Sequence, residues 1–152
     1  MKSLVFALAL ILQVASATKS VSPPRDIEQL VKPILDLVAE GETSKGELQN
    51  AAFYRAAKLT GALFTAKTKA ADEALVVLMS FYIGESTGGD LLHQVTVRGK
   101  RMLPLLVKYR NAQVIISGRK YPPSTFLPTE IRREDFDEAI KCIQAGKVLG
   151  QD

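Results

Sequence analysis

The chain of 152 residues has one cysteine, one histidine and no tryptophan. A single cysteine excludes an internal disulfide and any zinc or iron–sulfur site that needs several cysteine ligands. A single histidine likewise excludes a metal site built from several histidines. With 47% hydrophobic and 24% charged residues, the chain is too apolar to be disordered and has the length of one domain. We therefore expect one folded domain without a metal ion or cofactor.

The N-terminus has the three parts of a cleaved secretory signal. Lys2 precedes an apolar run over residues 4–14, and Ala15-Ser16-Ala17 supplies the small residues that precede a cut. The run is too short to span a bilayer, which needs about 20 residues. We expect residues 1–17 to be removed, 18–25 to form a flexible leader and 26–152 to form a single helical domain. The alternatives are a buried N-terminal helix and a membrane anchor.

Secretion without an internal disulfide also indicates the type of host. Small secreted eukaryotic domains usually carry several disulfides. No N-x-S/T glycosylation acceptor begins at Asn50 or Asn111. These features predict a secreted protein of the bacterial periplasm, although a bacterial extracellular destination fits equally well.

Apolar residues spaced three and four apart predict the first three helices. The first has an apolar face that starts at Ile27, contains Pro33 and stops near Gly41. The sequence over 44–47, Ser-Lys-Gly-Glu, matches a capping box and predicts the start of a second helix. A third begins over 68–72 and is apolar nearly all round, so we expect it to be the most buried. The second helix is expected to bury Leu48, Ala51, Ala52, Leu59, Leu63 and Phe64.

The second half of the chain is less regular. Gly99 and Pro104 either kink one long helix over 91–109 or divide it into two. Residues 113–116 fit a short strand or the end of a helix, and a final helix is expected from about residue 133 to 148. The predicted fold class is all-α. Five to six helices would form a compact bundle or a short two-layer stack of antiparallel helix pairs.

Acidic residues are absent from 91–129, a stretch that contains seven lysines and arginines. A concentrated positive field attracts anionic partners. The sequence therefore predicts a binding or interaction protein that contacts an acidic protein, or another anionic envelope component, through the basic segment 91–121. The candidate contact residues are Arg98, Lys100, Arg101, Lys108, Tyr109, Arg110, Arg119, Lys120 and Tyr121.

Other interpretations of the basic segment stay open at this point. Its charges can be solvated, or can pair with the acidic C-terminal helix of the same chain. An anionic membrane or cell-envelope component is an alternative partner. The small net charge and the secretory signal both argue against nucleic acid.

Catalysis is the competing class of function. A small enzyme would have its site near the loop over 84–93, using Glu85, Asp90 and His93. No set of nucleophile, base and orienting residue is visible, so no catalytic residue is assigned and the prediction leans against an enzyme. Cys142 lies at the margin of an apolar helix face, which favours a half-buried structural thiol. If Cys142 is exposed, it could join two chains in a dimer.

Overall fold

The computed structural model describes residues 19–81, 93–110, 112–120 and 133–147. These residues include five α-helices, labelled α1 to α5 in chain order: Arg25–Thr43, Glu47–Thr65, Lys69–Met79, Leu103–Tyr109 and Arg133–Ala145. Residues 93–97 are also helical, and a 3-10 helix covers Gly99–Met102. Three short strands are β1 (Lys19–Val21), β2 (Ala112–Ile116) and β3 (Arg119–Lys120). The predicted helical class is confirmed, and a small sheet is added to it.

Helix α3 lies at the centre of the described structure. It packs against α1, α2 and α4, and every residue from Ala74 to Met79 is buried. A helix surrounded by other elements needs apolar residues on all sides, which is the pattern that its sequence has. The prediction that this helix is the most buried one is confirmed.

Helix α1 packs the predicted apolar face against the core, with Ile27, Val31 and Ile34 almost inaccessible to solvent. It runs unbroken through the exposed Pro33. It does not stop at Gly41 but continues to Thr43. Gly41 is buried against α2, where an added Cβ would lie 2.6 Å from Cε1 of Phe53. This glycine therefore permits close packing of two helices rather than ending one.

The capping box expected at the start of α2 is absent. The helix begins at Glu47 after Gly46, which adopts a φ of 63° and has no side chain to act as a cap. The left-handed turn at Gly46 replaces a cap by Ser44, because it redirects the chain immediately before the helix. Gln49 stabilises the connection, since its Nε2 donates to the carbonyls of Gly41 at 2.9 Å and Ser44 at 3.1 Å.

The buried face of α2 is also different from the predicted one. Ala52, Ala56, Thr60 and Leu63 are buried, but Leu48 is 72% exposed. The expected burial of Ala51 and Leu59 is likewise wrong, since both are exposed, whereas Phe64 is partly buried. Helix α2 faces α1 and α3 with its small residues, because alanines allow the helix axes to come close. The larger leucines are left outside.

The segment over 93–110 is divided. Gly99 has a φ of 65°, which interrupts the helix that ends at residue 97. A 3-10 turn then leads into α4, with Pro104 in the first turn, where its missing N–H costs no hydrogen bond. One apolar side continues across this break, because Val95, Met102 and Leu106 are all fully buried.

Residues 112–116 form the central strand of the small sheet. The β1 strand pairs with it in parallel, from Lys19 opposite Ala112 to Val21 opposite Val114. The leader expected over 18–25 is therefore held over 19–21, because the backbone of β2 offers hydrogen-bond partners along its edge. Strand β3 pairs antiparallel on the other side of β2. The predicted signal over 1–17 lies outside the described residues.

Helix α5 buries Ala139, Ile140 and Ile143, as its spacing predicts. It ends at Ala145 rather than near residue 148. Gly146 follows with a φ of 70°, and its N–H donates to the carbonyl of Ile143 at 3.2 Å. A left-handed glycine of this kind is a common end of a helix.

Candidate functional site

The most buried charge among the described residues is Asp72, in the first turn of α3, which is 1% exposed. Thr68 caps this helix, since its hydroxyl accepts from the N–H of Ala71 at 3.1 Å. An isolated buried carboxylate is strongly unfavourable and needs a counter-charge. Two arginines of the basic segment, Arg98 and Arg101, provide it.

Arg98 is a structural residue. Its Nη1 donates to Oδ1 of Asp72 at 2.5 Å, and its side chain is only 8% exposed. Its Nη2 donates to the carbonyls of Leu63 and Phe64, in the last turn of α2. A cation is favourable there, because the last carbonyls of a helix are unpaired and carry the negative end of its dipole. Arg98 thus ties α2 to α3 and is not available to a partner.

Arg101 contacts the same carboxylate from the solvent side. Its Nε lies 2.7 Å from Oδ2 of Asp72, while the side chain remains 50% exposed. Two arginines therefore share a single negative charge, and one positive charge remains in excess at the protein surface. Lys100, next to Arg101 on the 3-10 helix, is exposed and forms no ion pair with another described residue.

Glu73, the next residue of α3, accepts hydrogen bonds from two further side chains of the basic segment. Its Oε1 accepts from Nζ of Lys108 and from the hydroxyl of Tyr109, each at 2.6 Å. Tyr109 is 1% exposed, and the Lys108 ammonium lies 5.0 Å from the centre of its ring. Burial, and then the hydrogen bond and negative charge of Glu73, raise the pKa of the Tyr109 phenol well above its usual range. Tyr109 is therefore a core residue rather than an exposed aromatic contact.

One cation of the basic segment pairs with the acidic C-terminal helix. Nη2 of Arg110, just after α4, lies 2.8 Å from Oδ1 of Asp137 in α5. Arg119 is exposed on β3. Lys120 belongs to the same strand, and Tyr121 lies outside the described residues.

The structure thus separates the predicted contact residues into two groups. Arg98 and Tyr109 are internal, and Arg110 ties α4 to α5. Lys100, Arg101 and Lys108 are exposed or half-exposed on one connected segment. Sequence reasoning could not divide the group, because the acidic partners lie far away in the chain, two in α3 and Asp137 in α5.

The sequence interpretation missed a second group of exposed basic residues, on α2 and just beyond its two ends. Residues 44–69 contain five basic residues and one acidic residue. All five are exposed, and none forms an ion pair within the described part of the chain: Lys45, Arg55, Lys58, Lys67 and Lys69. The same helix also exposes the leucines that were expected to be buried. The local excess of basic residues was the available signal.

Of the three residues considered for a catalytic site near the loop over 84–93, only His93 lies within the described part of the chain. His93 is exposed, and Glu85 and Asp90 lie outside the described residues. Cys142 is half-buried on α5, as its position at the margin of the apolar helix face predicts. No cluster of three or more potential metal ligands occurs among the residues with described positions, and no helix there is long and apolar enough to cross a membrane. Comparison with protein-family models, with curated proteins and with solved structures found no match.

Proposed function

We propose that this protein is a secreted, periplasmic binding domain that captures an acidic protein partner. The contact surface is the exposed part of the basic segment, here called the basic ridge: Lys100, Arg101, Pro104, Val107 and Lys108. The ridge follows the 3-10 helix into α4. It retains three of the contact residues that the sequence predicts.

The pairing of two arginines with the single carboxylate of Asp72 is the main observation behind this proposal. One arginine is enough to neutralise a buried carboxylate, and Arg98 already does so from inside with additional hydrogen bonds. Arg101 adds a second positive charge whose other nitrogen atoms remain available at the surface. A guanidinium held at one atom is pre-oriented, so it loses little freedom when the N–H groups along its edge donate to a partner's carboxylate.

The ridge also offers apolar contact beside its charges. Val107 is 55% exposed, and Pro104, one turn earlier on the same side of α4, is exposed as well. Interfaces commonly surround an apolar centre with charged groups at the rim. Arg101 and Lys108 flank these two residues at helical spacing. An acidic surface with an apolar centre fits this arrangement.

The test compares two variants that each remove two positive charges. Lys100→Gln/Arg101→Gln changes the ridge, and Arg55→Gln/Lys58→Gln changes α2. The probe is a fluorescent poly-glutamate peptide, with binding followed by anisotropy at low ionic strength. Two exposed ion pairs of about 0.7 kcal/mol each predict a roughly tenfold weaker Kd for the ridge variant.

Equal weakening by the two variants would show that only net charge matters, and would overturn the ridge as the binding surface. Absence of binding by the unaltered protein would overturn the proposal itself. Urea unfolding of each variant separates loss of binding from loss of fold. Both substitutions change exposed or half-exposed side chains, so we expect unfolding midpoints close to that of the unaltered protein.

A further inference from the structure

The outward surface of α2 is a second binding surface, independent of the basic ridge. We propose that it rests on an anionic lipid bilayer and holds the protein at a membrane surface. The α2 outer face consists of Leu48, Ala51, Arg55, Leu59 and Ala62, with Tyr54 and Lys58 beside it. The side chains of these residues are exposed in the folded domain.

The residues of this face form one continuous line along the helix. Leu48, Ala51, Arg55, Leu59 and Ala62 follow one another at intervals of three or four residues, which places them on one side of a helix. Leu48 is 72% exposed and Leu59 is 42% exposed. Tyr54, one helical step aside, is 70% exposed. Large apolar residues grouped on one exposed helix face typically mark a contact surface.

The charge around this line is of one sign. Arg55 lies within it, Lys58 lies beside it, and Lys45 and Lys67 lie just beyond the two ends of the helix. All four are exposed without an ion pair to another described residue, whereas Arg101 and Lys108 of the basic ridge are paired with acidic residues of α3. Glu47 is the only acidic residue in α2. The complementary surface must therefore be negative.

A second copy of this chain does not fit the face. In an antiparallel pairing of two α2 helices, Leu48 of each would meet Leu59 of the other. Arg55, near the centre of the line, would then lie only about 4.5 Å along the helix axis from its own counterpart. Like charges opposed in an interface are unfavourable.

The length and composition of the face suit a lipid surface. From Leu48 to Ala62 the helix rises about 21 Å, and a strip about 10 Å wide covers about 200 Å². Interfacial helices combine shallow insertion of a few leucines and aromatics with attraction of lysine and arginine to anionic headgroups. The α2 outer face has this composition.

The first experiment measures co-sedimentation with vesicles of phosphatidylcholine containing one quarter phosphatidylglycerol, and with vesicles of phosphatidylcholine alone. We expect binding only to the anionic vesicles, reduced by high salt. Each basic residue near such a surface contributes about fivefold to partitioning, so Arg55→Gln/Lys58→Gln should weaken binding about 25-fold. Leu48→Ser/Leu59→Ser should weaken it without any change of charge. Lys100→Gln/Arg101→Gln is the charge-matched control and should bind nearly as well as the unaltered protein.

The absence of tryptophan permits a second readout. A single tryptophan introduced as Leu48→Trp should shift its emission to the blue when anionic vesicles are added, because it enters the interface. Val107→Trp places the probe on the exposed side of α4 and should show no shift. This measurement does not depend on a variant that weakens binding.

Three results would overturn the proposal. The first is no binding to anionic vesicles, the second is equal loss by the α2 and control variants, and the third is a blue shift at position 107 without one at 48. None of these affects binding of the acidic peptide to the basic ridge. Failure of the lipid surface and failure of the proposed function are therefore distinguishable.

Discussion

At the scale of single residues, Asp72 organises more of the described structure than any other charged group. It receives Arg98 from the interior and Arg101 from the surface, and Arg98 in turn binds the last carbonyls of α2. A buried ion pair adds little stability compared with apolar packing, but loss of one partner leaves the other charge unsatisfied. Asp72 therefore determines how α2, α3 and the segment after residue 97 are joined.

Asp72→Asn is expected to lower the free energy of unfolding by about 3–5 kcal/mol, because it leaves the buried guanidinium of Arg98 without a counter-charge. The measurement is urea unfolding followed by circular dichroism. Asp36→Asn is the matched control, since Asp36 forms an exposed pair with Lys32 on α1. Exposed pairs of this kind contribute about 1 kcal/mol or less. Similar losses for the two variants would contradict the role assigned to Asp72.

Tyr109 predicts a specific dependence of stability on alkaline pH. Its raised pKa in the folded state means that the unfolded chain ionises first, near pH 10. The stabilisation is complete below that pH and is lost as the pH rises above it. By pH 11 the loss from this group is about 1.4 kcal/mol.

The comparison uses Tyr109→Phe, which cannot ionise. We expect Tyr109→Phe to be less stable at pH 8 by about 1–2 kcal/mol, because the hydrogen bond to Glu73 is lost. The difference between the two proteins should then shrink between pH 9 and pH 11. Parallel stability curves over this range would show that Tyr109 does not titrate differently in the folded state.

At the scale of elements, the pairing of α1 with α2 depends on close approach rather than on large side chains. Gly41 faces the ring of Phe53, and α2 presents alanines to the rest of the domain. This packing explains why Leu48 and Leu59 point away from the core. It also explains why a glycine that looks like a helix stop lies inside a helix.

Gly41→Ala is expected to destabilise the protein by about 1–3 kcal/mol, although alanine favours a helix by about 1 kcal/mol. The added Cβ would lie 2.6 Å from the Phe53 ring, so the ring or the helix must shift. Gly61→Ala in α2 is the control, because its Cβ meets nothing within 4 Å. It should be neutral or stabilising in thermal unfolding. Equal effects at the two positions would argue against close packing at Gly41.

At the scale of the whole molecule, the small sheet connects the beginning of the described chain to its second half. β1 pairs with β2, and Val21 packs partly against the core. Glu28 of α1 adds a second link, since its carboxylate accepts from the N–H of Ser117 at 2.9 Å in the turn between β2 and β3. Residues 19–21 are thus part of the domain and not a passive leader.

A chain that begins at Ser22 should be less stable than one that begins at Thr18 by about 1–3 kcal/mol, because it loses the β1 ladder and the contacts of Val21. Urea unfolding of the two proteins measures the difference. Exchange of the amide hydrogens of β2 should also become faster in the shorter chain. Identical stability and exchange would show that the pairing of β1 contributes nothing to the fold.

The local pattern of apolar residues was enough to predict the helical class, the buried face of α1 and the central place of α3. These features follow from local periodicity. A helix with one apolar face must bury that face, and a helix that is apolar on all sides must be surrounded by other elements. The break near Gly99 was also visible in the sequence, although its form was not. Strand β2 remained ambiguous, because β-branched residues over 113–116 suit either a strand or a helix end until a pairing partner is known.

Packing between distant segments determines which charged residues are paired and which apolar residues are exposed. The acid-free stretch looked uniformly available, yet Arg98 and Tyr109 are consumed by Asp72 and Glu73, which precede them by more than 25 residues. Leu48 and Leu59 looked like core residues, yet close packing of small residues turned them outward. The periodicity of apolar residues identifies the helix faces that can be buried. Which side is covered depends on packing and ion pairs between distant segments, which a local pattern does not contain.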